Sequence, residues 1–178
     1  NTLSGERNSA GNLLIGGVGN DAYLVGAGDT VIELVGEGYD WMRSDGSFTL
    51  AENVEEGALL GAASTQLFGN TLSNVLSGNG GDNLLDGGIG SDSMTGGFGN
   101  DIYVVDVATD VVYEWAGGGI DTVQSGISYA LVANVENLTL TGSASSDATG
   151  NVLANTLIGN SGANRLDGSA GADTMVGG

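Results

Sequence analysis

The stretch Gly87–Val104 reads GGIGSDSMTGGFGNDIYV and consists of two nonapeptides in tandem. Each nonapeptide has glycine at positions 1, 2 and 4, an aspartate at position 6 (Asp92, Asp101) and a large apolar residue at position 8 (Met94, Tyr103). Glycines permit a tight turn because they adopt positive φ without steric cost, and the next three residues alternate as a short strand. A turn and a strand this short bury little apolar surface alone, so the pattern predicts a unit that is stable only when stacked.

The same unit recurs along the chain in related versions. Clean or nearly clean aspartate copies occupy 16–24, 87–95, 96–104 and 168–176, and relaxed copies occupy 35–43, 105–113 and 116–124. Copies with asparagine at position 6 occupy 7–15, 69–77, 78–86, 150–158 and 159–167. Two segments, 44–68 and 125–149, lack the glycine turn and alternate apolar with polar residues, which predicts half-buried strands, with a one-turn helix around Val132–Glu136 as an option.

A longer period is superimposed on the nonapeptides. Gly69–Asp92 matches Gly150–Asp173 at an offset of 81, and Gly16–Tyr23 matches Gly96–Tyr103 at an offset of 80. We therefore predict one continuous solenoid over residues 1–178, made of about two 81-residue modules cut from a longer array. The nonapeptide arrays would lie near 7–43, 69–124 and 150–178, separated by the segments 44–68 and 125–149.

Composition narrows the function. The 178 residues include 34 glycines, no proline and no cysteine, and glycine does not recur at every third residue, which excludes collagen. The net charge is −19, from 22 acidic residues against three arginines, with no lysine and no histidine. Nucleic acid is excluded as a partner because phosphates require cations. No apolar run of about 18 residues is present, so this segment is not expected to insert into a membrane.

Stacking the units creates an electrostatic problem that a cation would solve. Two nonapeptides make one coil, and parallel strands of successive coils lie about 4.8 Å apart, which stacks the position-6 carboxylates. Stacked carboxylates repel by several kcal/mol at intermediate dielectric. Ca²⁺ takes about 6–8 oxygen ligands, and aspartates with glycine carbonyls supply them, whereas the usual zinc and copper ligands are absent. The predicted fold is an all-β, right-handed parallel β-roll or β-helix with calcium between stacked turns.

The clean copies GGVGNDAYL, GGIGSDSMT and GGFGNDIYV, with GSAGADTMV departing only at Ser169, resemble the RTX repeat GGxGxDxUx, a calcium-binding nonapeptide of bacterial secreted proteins. The resemblance implies a parallel β-roll with Ca²⁺ between turns n and n+2. It also implies export by a type I secretion system, with the secretion signal C-terminal to this piece, and a secreted, extracellular or cell-surface location where calcium folds the roll.

Carried onto this sequence, the resemblance pairs aspartates one coil apart, with Asp92 and Asp101 on opposite edges of one coil and therefore not sharing an ion. The predicted pairs are Asp92 with Asp110, Asp101 with Asp121, and Asp21 with Asp40, and weaker mixed pairs are Asn74 with Asp92 and Asn83 with Asp101. Asp29 and Asp173 are further candidates, the partner of Asp173 lying beyond Gly178. Carbonyl ligands are expected from Gly17, Gly19, Gly88, Gly90, Gly97 and Gly99. Asparagine at position 6 has an alternative role, as a hydrogen-bonded ladder residue of a neutral coil.

The predicted function is a calcium-binding, structural and secretion-assisting segment of a larger bacterial exoprotein, monomeric as a fragment. Catalysis is not expected, because acid–base and nucleophilic residues of the histidine, cysteine and lysine types are absent. Glu33 and Glu114 recur between modules, which favours a structural role over a unique active site. The alternative function is an adhesive module that binds extracellular polysaccharide through Trp41, Trp115 and Tyr39, against which stands ordinary packing of these rings.

Overall fold

A computed structural model describes residues 1–5 and 11–178. The first four residues of the asparagine copy predicted at 7–15 therefore lie outside the described residues. Within the described ranges the chain forms twenty short strands and no helix, wound as a parallel β-solenoid of about nine turns, so the predicted all-β parallel solenoid is confirmed. The strands are β1 Thr2–Ser4, β2 Leu13–Ile15, β3 Ala22–Leu24, β4 Thr30–Ile32, β5 Trp41–Ser44, β6 Phe48–Thr49, β7 Glu56–Leu59, β8 Gln66–Phe68, β9 Val75–Ser77, β10 Leu84–Asp86, β11 Ser93–Thr95, β12 Ile102–Val105, β13 Val111–Tyr113, β14 Thr122–Ser125, β15 Tyr129–Ala130, β16 Asn137–Leu140, β17 Ala148–Thr149, β18 Thr156–Ile158, β19 Leu166–Asp167 and β20 Thr174–Val176.

Alternate strands belong to opposite sheets. The odd-numbered strands β1 to β13 form one seven-stranded parallel sheet, and the even-numbered strands β6 to β20 form an eight-stranded parallel sheet. Two smaller sheets, β2–β4 and β15–β17–β19, complete the described part of the chain. Each coil thus contributes one strand to each side, as two nonapeptides per coil require.

Position 8 of the nonapeptide builds the core. In the eight-stranded sheet the register stacks fully buried side chains directly above one another: Leu67, Leu85, Tyr103, Val123, Leu138 and Leu157. Because only every second strand residue faces inward, each strand adds a single large side chain, and each such burial contributes about 1.5–3 kcal/mol. Stability therefore accumulates coil by coil.

The segments without glycine turns also join the solenoid as parallel strands, β6 to β8 and β15 to β17. The optional helix around Val132–Glu136 is wrong, because Ala133 and Asn134 form a turn. Asn134 has φ of 66° and its counterpart Asn53 has φ of 65°, a left-handed conformation that ends helical geometry and that asparagine tolerates better than most residues. The Asn134 Nδ2 group donates to the Glu114 carbonyl at 2.9 Å, and Asn53 donates to the Glu33 carbonyl at 2.9 Å.

The 81-residue period places equivalent residues on opposite sides of the solenoid. Paired core positions such as Leu85 and Tyr103 are 18 residues apart, so 81 residues correspond to four and a half coils. Asp40 accordingly precedes β5 of the seven-stranded sheet, whereas Asp121 precedes β14 of the eight-stranded sheet. Position-6 residues therefore form two ladders, one along each sheet.

Candidate metal centre

The predicted aspartate pairs lie one above the other at the starts of neighbouring strands. In each pair the backbone N–H of the first aspartate donates to Oδ1 of the second: Asp21 to Asp40 at 2.7 Å, Asp101 to Asp121 at 2.8 Å, and Asp92 to Asp110 at 3.1 Å. The stacked turns fix this geometry because both members precede strands that pair in register. The structure thus brings each predicted pair together, and the ligand roles of these residues stay predictions.

Several of these carboxylates have an oxygen with no partner. The Oδ2 atoms of Asp21, Asp92, Asp101 and Asp121 are buried and accept no hydrogen bond, in side chains that are at most 1% exposed. Leaving a buried polar atom unsatisfied costs about 1–3 kcal/mol, and more for a charged group. A hard cation bound by oxygen satisfies such atoms, so the residues present fit calcium.

Two clusters contain a third carboxylate. Asp21, Glu33 and Asp40 form one, and Asp101, Glu114 and Asp121 form the other. In each cluster one oxygen from every residue lies within 4.8 Å of the other two, and all six side chains are buried. Sequence reasoning did not predict the glutamates as ligands. The available signal was their recurrence, each seven residues before the second aspartate, which was interpreted as purely structural.

Tyrosines of the core hold both glutamates. The Tyr103 hydroxyl donates to Glu114 Oε2 and accepts from the Gly96 N–H at 2.7 Å, and the Tyr23 hydroxyl donates to Glu33 Oε1. Burial and the adjacent glutamate both raise the pKa of each of these tyrosines, which keeps the hydroxyls protonated as donors. The position-8 tyrosines of the clean copies therefore link the core to the carboxylate clusters.

The clusters are electrostatically uncompensated. Burial raises the pKa of Asp101 to about 6 and that of Asp121 to about 7, and the neighbouring Glu114 charge adds to both shifts. Burial also raises the pKa of Asp92, with the Asp110 charge contributing. Within residues 1–5 and 11–178 the ion pairs are the terminal ammonium of Asn1 with Asp21 and the Arg165–Asp167 pair, so no arginine neutralises either cluster.

Three other predicted ligands are more fully hydrogen-bonded or less buried. Asp110 Oδ2 accepts from the backbone of Asp106 and Val107, at 3.2 and 3.3 Å. Both oxygens of Asp29 accept backbone N–H groups, and these bonds lower its pKa. Asp173 is half-buried and accepts the Asn155 N–H at 2.9 Å. None of the three has a buried oxygen without a partner.

The position-6 asparagines occupy the ladder as hydrogen-bonding residues. Asn74 Oδ1 accepts the Asn70 N–H at 2.8 Å, and its Nδ2 donates to the Val54 carbonyl at 3.1 Å. Asn83 Oδ1 likewise accepts the Asn79 N–H at 2.7 Å. These contacts support the neutral-coil alternative over the mixed calcium pairs.

Asparagine at position 2 of these copies replaces what an ion would do. Each of four such side chains donates from Nδ2 to two backbone carbonyls of the turn one coil earlier: Asn70 to Ala51 and Val54, Asn79 to Leu60 and Ala63, Asn151 to Val132 and Val135, and Asn160 to Thr141 and Ala144, at 2.6–3.1 Å. One amide group thus gathers two carbonyls of the neighbouring turn.

The glycines predicted as carbonyl ligands lie in the turns that the fold requires. Their φ angles are all positive: 77° at Gly17, 112° at Gly19, 74° at Gly88, 151° at Gly90, 105° at Gly97 and 114° at Gly99. Stacking is also tight, because a Cβ added at Gly119 would overlap the carbonyl oxygen of Gly99 in the turn below. The carbonyl ligand roles stay predictions.

The predicted aromatic platform is not assembled as one surface. Trp41 packs under the Arg43 guanidinium, 4.3 Å from the ring centroid. Trp115 is 58% exposed and meets Phe98 edge to face, with centroids 6.2 Å apart. Among the described residues no ring contact joins Trp115 to Trp41 or Tyr39.

A search for membrane spans in the described residues finds no helix with the length and apolar character to cross a bilayer.

Comparisons with known proteins agree with the geometry. The family model of the RTX calcium-binding nonapeptide repeat (4 copies) matches residues 68–103 and 149–178. The endo-1,3-1,4-beta-glycanase ExsH of Rhizobium meliloti (strain 1021) is 45% identical over 58 residues, 33% of this chain and 12% of that protein. The chain therefore matches well under two thirds of this relative's length, and no solved structure matches it significantly. The chain contains RTX calcium-binding nonapeptide repeats, and repeats of this family bind Ca²⁺ at several sites.

Proposed function

We propose that this chain is a calcium-dependent β-roll that folds outside the cell as a structural, non-catalytic segment of a larger secreted bacterial protein. The observation that carries the proposal is the row of buried aspartate oxygens without partners: Asp21, Asp92, Asp101 and Asp121. They lie in stacked turns beside further carboxylates. RTX repeats are typical of secreted or surface proteins, which supports the location and the export route by a type I system.

Calcium acts in this proposal as part of the folded structure. Ions that bind the native state and not the unfolded chain stabilise it in proportion to ln(1 + [Ca²⁺]/Kd), so free calcium sets the folded fraction. Without the ions, stacked carboxylates repel, and a chain with 34 glycines loses much conformational entropy on folding. The low calcium of a bacterial interior then keeps the chain unfolded for export, and higher external calcium folds it.

The test is a calcium titration of the metal-free chain, followed by far-ultraviolet circular dichroism and hydrodynamic radius. We expect a cooperative gain of β-structure and compaction with Ca²⁺, its reversal by chelator, and little response to Mg²⁺, which demands a smaller octahedral site. Asp101→Asn combined with Asp121→Asn should shift the midpoint to higher calcium, whereas the exposed Asp45→Asn serves as the control. A chain folded identically in calcium and in chelator would overturn the proposal.

A second candidate function is contact with a polysaccharide, favoured by the exposed Phe98–Trp115 pair and by the relative that is named as a glycanase. Exposed aromatic rings stack on the apolar faces of sugars. Affinity electrophoresis in a 1,3-1,4-β-glycan gel, at saturating calcium, tests this candidate with Trp115→Ala against the half-buried Trp41→Phe. Equal mobility of the native chain with and without glycan would eliminate it.

A further inference from the structure

Resting on the proposed function, we infer that Glu33 and Glu114 are calcium ligands, which makes the two three-carboxylate clusters a distinct, more highly charged class of site than the aspartate-pair turns. Tyr23 and Tyr103 are the positioning residues that orient these glutamates. The nonapeptide itself contains no glutamate, so these ligands come from outside the repeat motif.

The path of the chain explains how each glutamate reaches its cluster. Asp101 precedes β12, the chain returns along β13, and Glu114 follows β13 directly, on the edge where Asp101 and Asp121 lie. In the preceding coil the equivalent position after β11 is Gly96, the first glycine of a clean copy. The glutamate therefore takes the place of a turn glycine.

The spacing of the aspartates changes where a glutamate is present. Asp92 and Asp110 are 18 residues apart, one regular coil, whereas Asp101 and Asp121 are 20 apart. The two additional residues are Glu114 and Trp115, between the copies at 105–113 and 116–124. The first module has a 19-residue interval that contains Glu33. An irregular coil in both modules, with glutamate in both, indicates a shared purpose.

Unpartnered oxygens point to a bound cation beyond the mere grouping of acids. Glu33 is 4% exposed, and its Oε2 accepts no hydrogen bond while its Oε1 accepts the Tyr23 hydroxyl. In the second cluster the Oδ2 atoms of Asp101 and Asp121 have no partner. Glu114 is fixed on both sides, because Oε2 accepts the Tyr103 hydroxyl and Oε1 accepts the Trp115 N–H at 2.7 Å.

Charge count distinguishes these sites from ordinary turns. Three carboxylates give a cluster charge of −3, and affinity for a hard cation rises with the number of ligand charges. The Coulomb attraction of each carboxylate scales with the charge of the ion, so a trivalent ion gains half as much again as a divalent ion. These two sites should therefore take up Ca²⁺ first and prefer Tb³⁺ most strongly.

The test compares Glu114→Gln with Glu52→Gln in the full chain by calorimetric titration with CaCl₂ and, separately, TbCl₃. Glutamine keeps the shape of Glu114 and accepts the same Tyr103 and Trp115 hydrogen bonds, so the substitution removes only the charge. Glu52 is exposed and provides a matched loss of charge away from the clusters. Glu33→Gln repeats the experiment in the first module, where the cluster has the same composition.

We expect Glu114→Gln to weaken one Ca²⁺ site about tenfold or more, and to weaken Tb³⁺ binding about 30-fold, since the logarithm of the loss scales with ion charge. High calcium should restore its folding by mass action. Titrations that match Glu52→Gln, equal losses for both ions, or a folding defect that high calcium does not reverse would each overturn the inference. Native chain that folds with calcium alongside an inert Glu114→Gln would refute this inference alone, whereas native chain that binds no calcium would refute the proposed function.

Discussion

Replacement of Asn151 by alanine tests whether an amide substitutes for an ion in the asparagine turns. Asn151 Nδ2 donates to the carbonyls of Val132 and Val135, each at 2.7 Å, and its Oδ1 accepts from Leu153 N–H at 2.9 Å and Asn155 Nδ2 at 3.2 Å. At a net value of about 1 kcal/mol per hydrogen bond, and with partial replacement by water at this half-buried site, the loss is about 3 kcal/mol. That is a large share of a total stability of about 5–15 kcal/mol.

The assay is urea unfolding of the chain at saturating calcium, combined with the calcium stoichiometry from calorimetry. We expect the free energy of unfolding of Asn151→Ala to fall by about 3 kcal/mol while the number of bound ions stays the same, because no ion occupies this turn. Asn100→Ala is the control, since Asn100 is exposed and its side chain accepts a single backbone bond, from Ile120 at 2.9 Å. Loss of a bound ion, or unchanged stability, would refute the assignment of these turns as metal-free.

Three further predictions concern charge, stacking and turn conformation. Because burial raises the pKa of Asp101 to about 6 and of Asp121 to about 7 from 3.8, their contribution to the stability of the calcium-free fold is complete below pH 3.8 and is lost as pH rises through 6 to 7. Urea melts in metal-free buffer should therefore show higher stability at pH 5 than at pH 8, calcium should reverse the order, and equal stabilities would contradict the burial of these charges. Gly119→Ala should cost about 2 kcal/mol or more, as overpacking does, since its Cβ would overlap the Gly99 carbonyl oxygen, and thermal unfolding at saturating calcium that matches the parent would disprove the close stacking. At Asn134, glycine should cost about 1 kcal/mol for the lost hydrogen bond and alanine about 1–2 kcal/mol more for its positive φ, and the reverse order in denaturant melts would contradict the turn.

The sequence was sufficient to predict the solenoid because its evidence is periodic. One inward apolar residue per nonapeptide, such as Leu85 or Tyr103, determines both the strand spacing and the register of the core. The same period places Asp101 above Asp121, and parallel stacking turns that spacing into contact. Regular repetition is what makes a short motif informative about tertiary structure.

The contribution of Glu114 was not predictable from the period, because it lies where the period breaks. Its position depends on how two additional residues loop out after β13 and on the Tyr103 hydroxyl that holds it. A hydrogen bond across a coil leaves no trace in a nonapeptide consensus. The recurrence of this glutamate in both modules showed that it was constrained, without showing that it faces two aspartates.

The asparagine copies show a second limit. An amide at position 6 offers both an oxygen and a donor, so Asn74 was compatible with ligation and with a neutral ladder. The structure favours the ladder because Asn70, two residues into the same copy, places its own N–H against the Asn74 oxygen. Two asparagines acting together define the metal-free turn, and each alone is ambiguous.

The most direct test of the central claim is an anomalous-difference map from a crystal of the full chain grown with calcium. We predict peaks between the stacked carboxylates of Asp101 and Asp121 and of Asp21 and Asp40, with oxygen ligands at about 2.3–2.6 Å, and no peak beside Asn70 or its equivalents. Crystals that contain the folded solenoid in calcium but show no ion at the aspartate turns would contradict the account.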